Sequence, residues 1–165
     1  MRLQLFGLNT AHLHLLLNHF PILGSIIITG LFIVALIFRN TFLQKVSLWF
    51  LAGIAVLTAL TFQTGDGAKQ AVLSLNLPQV VSLSALHSHE QMARVGLILM
   101  FFTGAISLGS AVFYRNKPVL PRLLLAIMLV ILLANIGVFT YISYLGGLIM
   151  HPEIRSFVAA TLQYI

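Results

Sequence analysis

Cysteine is absent from all 165 residues. That excludes disulfides, thiolate metal sites, iron–sulfur clusters and covalent haem attachment through a Cys-x-x-Cys-His motif. Any bound metal must therefore use His, Asp, Glu, Met or backbone oxygen. Charge is the second scarcity. Asp, Glu, Lys and Arg make up 7% of the chain, with three acids in all, where a soluble domain carries about 25%. Hydrophobic residues make up 59% and the mean hydropathy is +1.04, so polar groups are too few to cover a water-facing surface. An integral membrane protein is expected. A Gly-rich phosphate loop, a nucleophile elbow and paired carboxylates are missing as well, which removes the usual soluble-enzyme chemistries. The net charge of +6 would suggest nucleic acid in a soluble chain. Here the basic residues sit between apolar runs as orientation charges, so the expected partner is the lipid bilayer and no nucleic acid.

Four apolar stretches are long enough to cross about 30 Å of hydrocarbon. They run over residues 13–38, 46–62, 89–113 and 123–150, and they predict an all-α, antiparallel four-helix membrane bundle forming one domain with both termini on the same side. The first stretch holds three histidines and lacks a small-x-small cleavage pattern, so a retained span is expected in place of a cleaved signal. Asn9 or Thr10 is placed to cap it. Pro21 lies inside it and should kink the helix or free the carbonyl near Leu17. Thr64-Gly65-Asp66-Gly67 predicts a turn. Residues 68–75 then predict a short interfacial helix that Pro78 ends, and residues 152–165 a tail lying in the interface or against a partner. Arg39, Lys45, Arg115, Lys117 and Arg122 occupy two short loops that contain no acid. By the positive-inside rule these loops face the cytoplasm. The opposite end carries Arg2, Lys69, Arg94 and Arg155; the bias is moderate and an inverted topology is the alternative.

The polar residues separate by side. With the spans laid antiparallel, His12, His14, His19, His87, His89, Glu90, His151, Glu153 and Asp66 all fall at one end of the bundle. Imidazole is the commonest metal ligand, and ionisable groups within a membrane point to function. His12 and His19 share a face but stand about 10 Å apart along the axis, so they need another helix to complete any site. His19 lies deep in an apolar helix, where burial without a partner costs a few kcal/mol. His89 is expected to open the third helix, where the positive end of the helix dipole favours the neutral, ligating imidazole. His19 and His89 are thus the leading ligands, followed by His14 and His151. Below His89, Ala93, Gly96, Met100 and Gly104 form a stripe that either packs a neighbouring helix closely or leaves room for a flat macrocycle. Tyr144, with Tyr141 near it, either bonds a cofactor or belongs to the interfacial aromatic belt. Asn135, deep in the fourth span, is expected to bond across helices.

In order, His19-Phe20-Pro21, Thr64-Gly65, His89-Glu90, Gly146-Gly147 and His151-Pro152-Glu153-Ile154-Arg155 resemble the motifs of small four-span bacterial membrane proteins with a His-Phe-Pro motif, a group without an established activity. The resemblance covers nearly the whole chain. It implies the four-span architecture and a membrane location, with haem or metal binding as a suspicion. Asp66 and Lys69 stand where a more acidic stretch would be expected after Thr-Gly.

Three functions follow as expectations. The first is a b-type cytochrome-like protein with haem b between His19 and His89, Arg94 near the propionates, and electron transfer to or from a quinone or a larger respiratory complex. The second is a copper, zinc or iron site drawn from His14, His19, His89, His151, Glu90 and Glu153. The third is a structural subunit whose histidines are interfacial hydrogen-bonders. A transporter is disfavoured, because no midplane charges mark an ion path. The oligomeric state stays open.

Overall fold

A computed structural model of the chain describes residues 9–156. They form five helices, α1 (Thr10–Leu17), α2 (His19–Ile37), α3 (Thr41–Ser74), α4 (Leu83–Phe113) and α5 (Arg122–Met150), with no strand among the described residues. Four stretches are long and apolar enough to cross a membrane, α1 and α2 together making the first. Arg2 and the expected tail beyond residue 156 lie outside the described residues.

Helix ends follow local chemistry. Asn9 caps α1, its side-chain oxygen accepting from the His12 N–H at 2.9 Å. Asn40 and Ser82 do the same for α3 and α4, accepting from Leu43 at 3.0 Å and Ala85 at 3.2 Å. α2 ends in a Schellman motif. The Asn40 N–H reaches Ala35 O and the Arg39 N–H reaches Leu36 O, with Arg39 left-handed at φ 50.

The chain breaks between α1 and α2 at Asn18. Pro21 has no N–H to offer the carbonyl of Leu17, and the hydroxyl of Thr61 on α3 lies 3.2 Å from that carbonyl, sharing its one hydrogen with the closer Leu57 O of its own helix at 2.8 Å. The freed carbonyl expected from the sequence is therefore present, with a neighbouring helix's hydroxyl beside it.

Two boundaries differ from the expectation. α3 does not stop near residue 62. It runs through Thr64-Gly65-Asp66-Gly67, so the expected turn is helical and the expected short helix is the last part of α3. The glycines are there for close packing: a β-carbon on Gly67 would run directly into Thr10 of α1. α4 begins at Leu83 rather than His89, because Ser82 supplies its cap. His89 therefore sits about two turns inside the helix, away from its dipole end.

α2, α3, α4 and α5 pack in a ring, with α1 lying on α3 and touching α2. Phe32, Leu48, Leu51, Met128 and Leu132 fill one half of the core, and Ile54, Met100, Phe139 and Ile142 the other. Buried hydroxyls of Ser25, Thr29, Thr58 and Thr103 donate to carbonyls one turn back in their own helices, so they enter the core without needing a partner. Large apolar side chains such as Ile27, Phe42, Phe101 and Val130 point outward, as a lipid-facing surface requires.

Two long cations tie the loops down. Lys45 donates to the carbonyls of Arg115 at 3.0 Å and Lys117 at 2.7 Å, fastening the α4–α5 loop to the start of α3. Arg155 donates to Leu148 O and Ile149 O at the end of α5 and to Val80 O at 2.8 Å. The arginine that closes the last motif is thus a helix cap and a loop staple.

Candidate cofactor site

Four histidines share one arrangement. The Nδ1 of each lies against an oxygen, which fixes the proton on Nδ1 where that oxygen is a carbonyl and leaves Nε2 with a bare lone pair. His14 Nδ1–H on α1 donates to Thr61 O and toward Thr64 Oγ1 of α3, both at 3.1 Å. The Thr64 hydroxyl itself donates to Thr61 O at 2.7 Å. His89 Nδ1–H on α4 donates to Ile142 O of α5 at 2.9 Å. His19 donates to Leu15 O in its own chain segment at 3.1 Å, and His151 to Glu153 Oε1 at 2.7 Å.

Only His14 and His89 combine that arrangement with partial burial and an anchor on a different helix. Each ring also lies over a glycine. A β-carbon on Gly65 would stand 3.7 Å from His14 Cε1, and one on Gly146 would stand 3.3 Å from His89 Cε1. No Cα of α1 comes within 8 Å of one of α4. Asn18, one turn beyond His14, has its side-chain oxygen buried without a partner among the described residues.

The remaining candidates fall elsewhere. His19 is exposed and turned back on its own backbone, its Nδ1 against Leu15 O at 3.1 Å. Glu90 is occupied by Lys69 and Arg94, each at 2.8 Å, so Arg94 serves a carboxylate of its own chain. Glu153 pairs with His151 at the exposed end of α5. Its carboxyl is held below the usual range by its own backbone N–H and then by His151. Tyr144 stacks on Tyr141 with ring centroids 6.3 Å apart, both exposed. It lies two residues from both Ile142 and Gly146, on the helix face opposite to the one His89 meets. The six-residue metal set does not gather: among the described residues no three His, Asp or Glu side chains are grouped as metal ligands.

The small-residue stripe is packed. A β-carbon on Gly96 would meet Ile142 at 2.6 Å and Phe139 at 3.2 Å, one on Gly104 would run into Ala55, and Met100 is fully buried. No slot for a macrocycle lies on that face. Residue patterns alone did not mark Thr61 as an anchor for His14. Gly65 and Gly146 were visible as motif letters, but nothing in the sequence said which ring each would carry.

Comparison with known proteins finds no matching family model, no matching curated protein and no matching solved structure.

Proposed function

We propose that the protein is a b-type cytochrome-like membrane protein in which His14 on α1 and His89 on α4 would hold haem b. The observation that carries this reading is the pair of anchored imidazoles, each with Nδ1–H on a main-chain carbonyl of another helix and Nε2 free. Such an outer bond fixes a ligating histidine's tautomer and ring plane and raises its basicity. The donor count favours haem over a bare ion. Haem supplies four nitrogens of its own and asks the protein for two. A bare copper, zinc or iron ion would need further protein donors, and the described residues group no three.

When bound, haem supplies one-electron redox chemistry. The chain's own part is to orient two rings through Thr61, Thr64 and Ile142 and to set them over Gly65 and Gly146. The exchange partner in this reading is a quinone or another membrane redox subunit. The proposal includes an antiparallel bundle in the bacterial inner membrane, with both termini and the histidines on the periplasmic side, and kinship with the small four-span proteins that carry the His-Phe-Pro motif. The meeting of the α3 start with the α4–α5 loop, and of the α4 start with the α5 end through Ser82 N–H to Ile149 O, supports antiparallel packing.

The test is the visible spectrum of protein purified after haem supplementation, oxidised and reduced. His14→Ala and His89→Ala should each abolish or sharply reduce the Soret band, while His19→Ala and His151→Ala should retain it. A colourless wild type, or equal loss in His19→Ala, would overturn the assignment. Stoichiometric copper or zinc in a colourless protein would support the bare-ion alternative.

A further inference from the structure

The end of the bundle away from the histidines carries a groove that the chain leaves open. It runs between the last turn of α4 and the first turns of α5 and has a volume of about 460 Å³. Gly109, Phe113 and Tyr114 form one wall, and Pro121, Leu123 and Ile127 the other. Phe113 and Leu123 are 70% and 73% exposed, and nothing lies within 4 Å of a β-carbon built on Gly109. The groove therefore opens onto the apolar outer surface of the bundle, where acyl chains are the natural neighbours.

Its rim is basic. Arg115 follows Tyr114 in the chain, and Arg122 lies between Pro121 and Leu123, so each Cα is one step of about 3.8 Å from that of a lining residue. Lys117 stands in the same loop. All three side chains are exposed, and among the described residues none of them forms an ion pair. The loop is held in place by Lys45, which donates to the carbonyls of Arg115 and Lys117. No acid occurs in the loop or in the first turn of α5, and Pro121 gives that helix no side-chain cap. Arg122 thus adds its charge to the positive end of a 29-residue helix with no carboxylate in that turn to offset it.

An apolar slot with uncompensated cations at its rim is complementary to an amphiphile with an anionic head. We propose that the groove binds an anionic phospholipid, with an acyl chain along Gly109, Phe113 and Ile127 and the phosphate against Arg115 and Arg122. A zwitterionic lipid fills the slot equally well, but its cationic group is repelled by the rim. A free phosphate ion satisfies the rim and leaves the slot unused. The site lies at the other end of the bundle from the proposed haem and does not rest on that reading.

The experiment is native mass spectrometry of the full chain, released from micelles holding equal amounts of phosphatidylglycerol and phosphatidylcholine with the same acyl chains. The wild type should retain phosphatidylglycerol several-fold more than phosphatidylcholine, and the preference should shrink as ammonium acetate is raised. The double variant Arg115→Gln/Arg122→Gln should erase the preference. Gly109→Leu places a helix-favouring side chain in the open slot and should reduce retention of both lipids. Arg94→Gln, near the other end of α4, should leave the preference intact. Equal retention of the two lipids by the wild type, a preference that survives the double substitution, or undiminished retention in Gly109→Leu would overturn the proposal. So would release of the lipid by inorganic phosphate at matched ionic strength, which would make the site one for the free ion. Should the double variant fail to fold, the wild-type competition and Gly109→Leu still decide.

Discussion

His14 and His89 differ from the other histidines in what holds them. A ring fixed through Nδ1 to a neighbouring helix cannot rotate without breaking that bond, so its Nε2 points in one direction. Gly146 sets the position of the His89 ring. In Gly146→Ala the new β-carbon, at 3.3 Å from Cε1, must push the ring by a few tenths of an ångström. The expected outcome is a shift in the haem reduction potential or in its low-spin resonance signal, with binding weakened several-fold. Gly147→Ala is the control, since nothing lies within 4 Å of its β-carbon. The sequence showed that histidines collect at one end, because their distances from the ends of apolar runs are readable. It did not show which of them meet, because that depends on rotation about each helix axis. His19 lies on the exposed side of its helix, which the apolar run around it did not reveal.

At the level of helices, the least legible feature was the run Thr64-Gly65-Asp66-Gly67. Two glycines and an aspartate ordinarily open a turn, yet here α3 continues because α1 lies against the glycines and stabilises them. Local propensity lost to tertiary packing. Gly67→Ala should therefore destabilise the protein by about 1–3 kcal/mol, the usual penalty for overpacking, read as a lower thermal midpoint in detergent. Gly53→Ala, with open space around its β-carbon, should be neutral or slightly stabilising. The end of α5 carries a pH dependence. Glu153 has its folded pKa depressed by its own backbone N–H and by His151. Its contribution is present above the ordinary carboxylate range and is lost as pH falls through the depressed value. Hydrogen exchange around residues 151–155 should accelerate on acidification through that window, and Glu153→Gln should remove the dependence.

For the whole molecule, the count of spans followed from hydropathy alone, and the structure has four suitable stretches. At the histidine end the described basic residues Lys69, Arg94 and Arg155 are matched in number by Asp66, Glu90 and Glu153, whereas the two short loops carry five basic residues and no acid. The positive-inside rule counts lysine and arginine rather than net charge, so the proposed orientation rests on five basic residues in the short loops against three described ones at the histidine end. Because the native chain has no thiol, single cysteines report topology cleanly. Ser156→Cys should react with a membrane-impermeant maleimide in intact cells, and Asn116→Cys should react only after lysis. The reverse pattern would invert the assignment.

The absence of any approach between α1 and α4 also bears on how a prosthetic group would get in and out. A haem held by His14 and His89, as proposed, is apolar enough to enter by partitioning through the leaflet, without crossing an aqueous channel. Occupancy should then depend on the surrounding amphiphile, with short-chain detergents stripping pigment that native lipids retain.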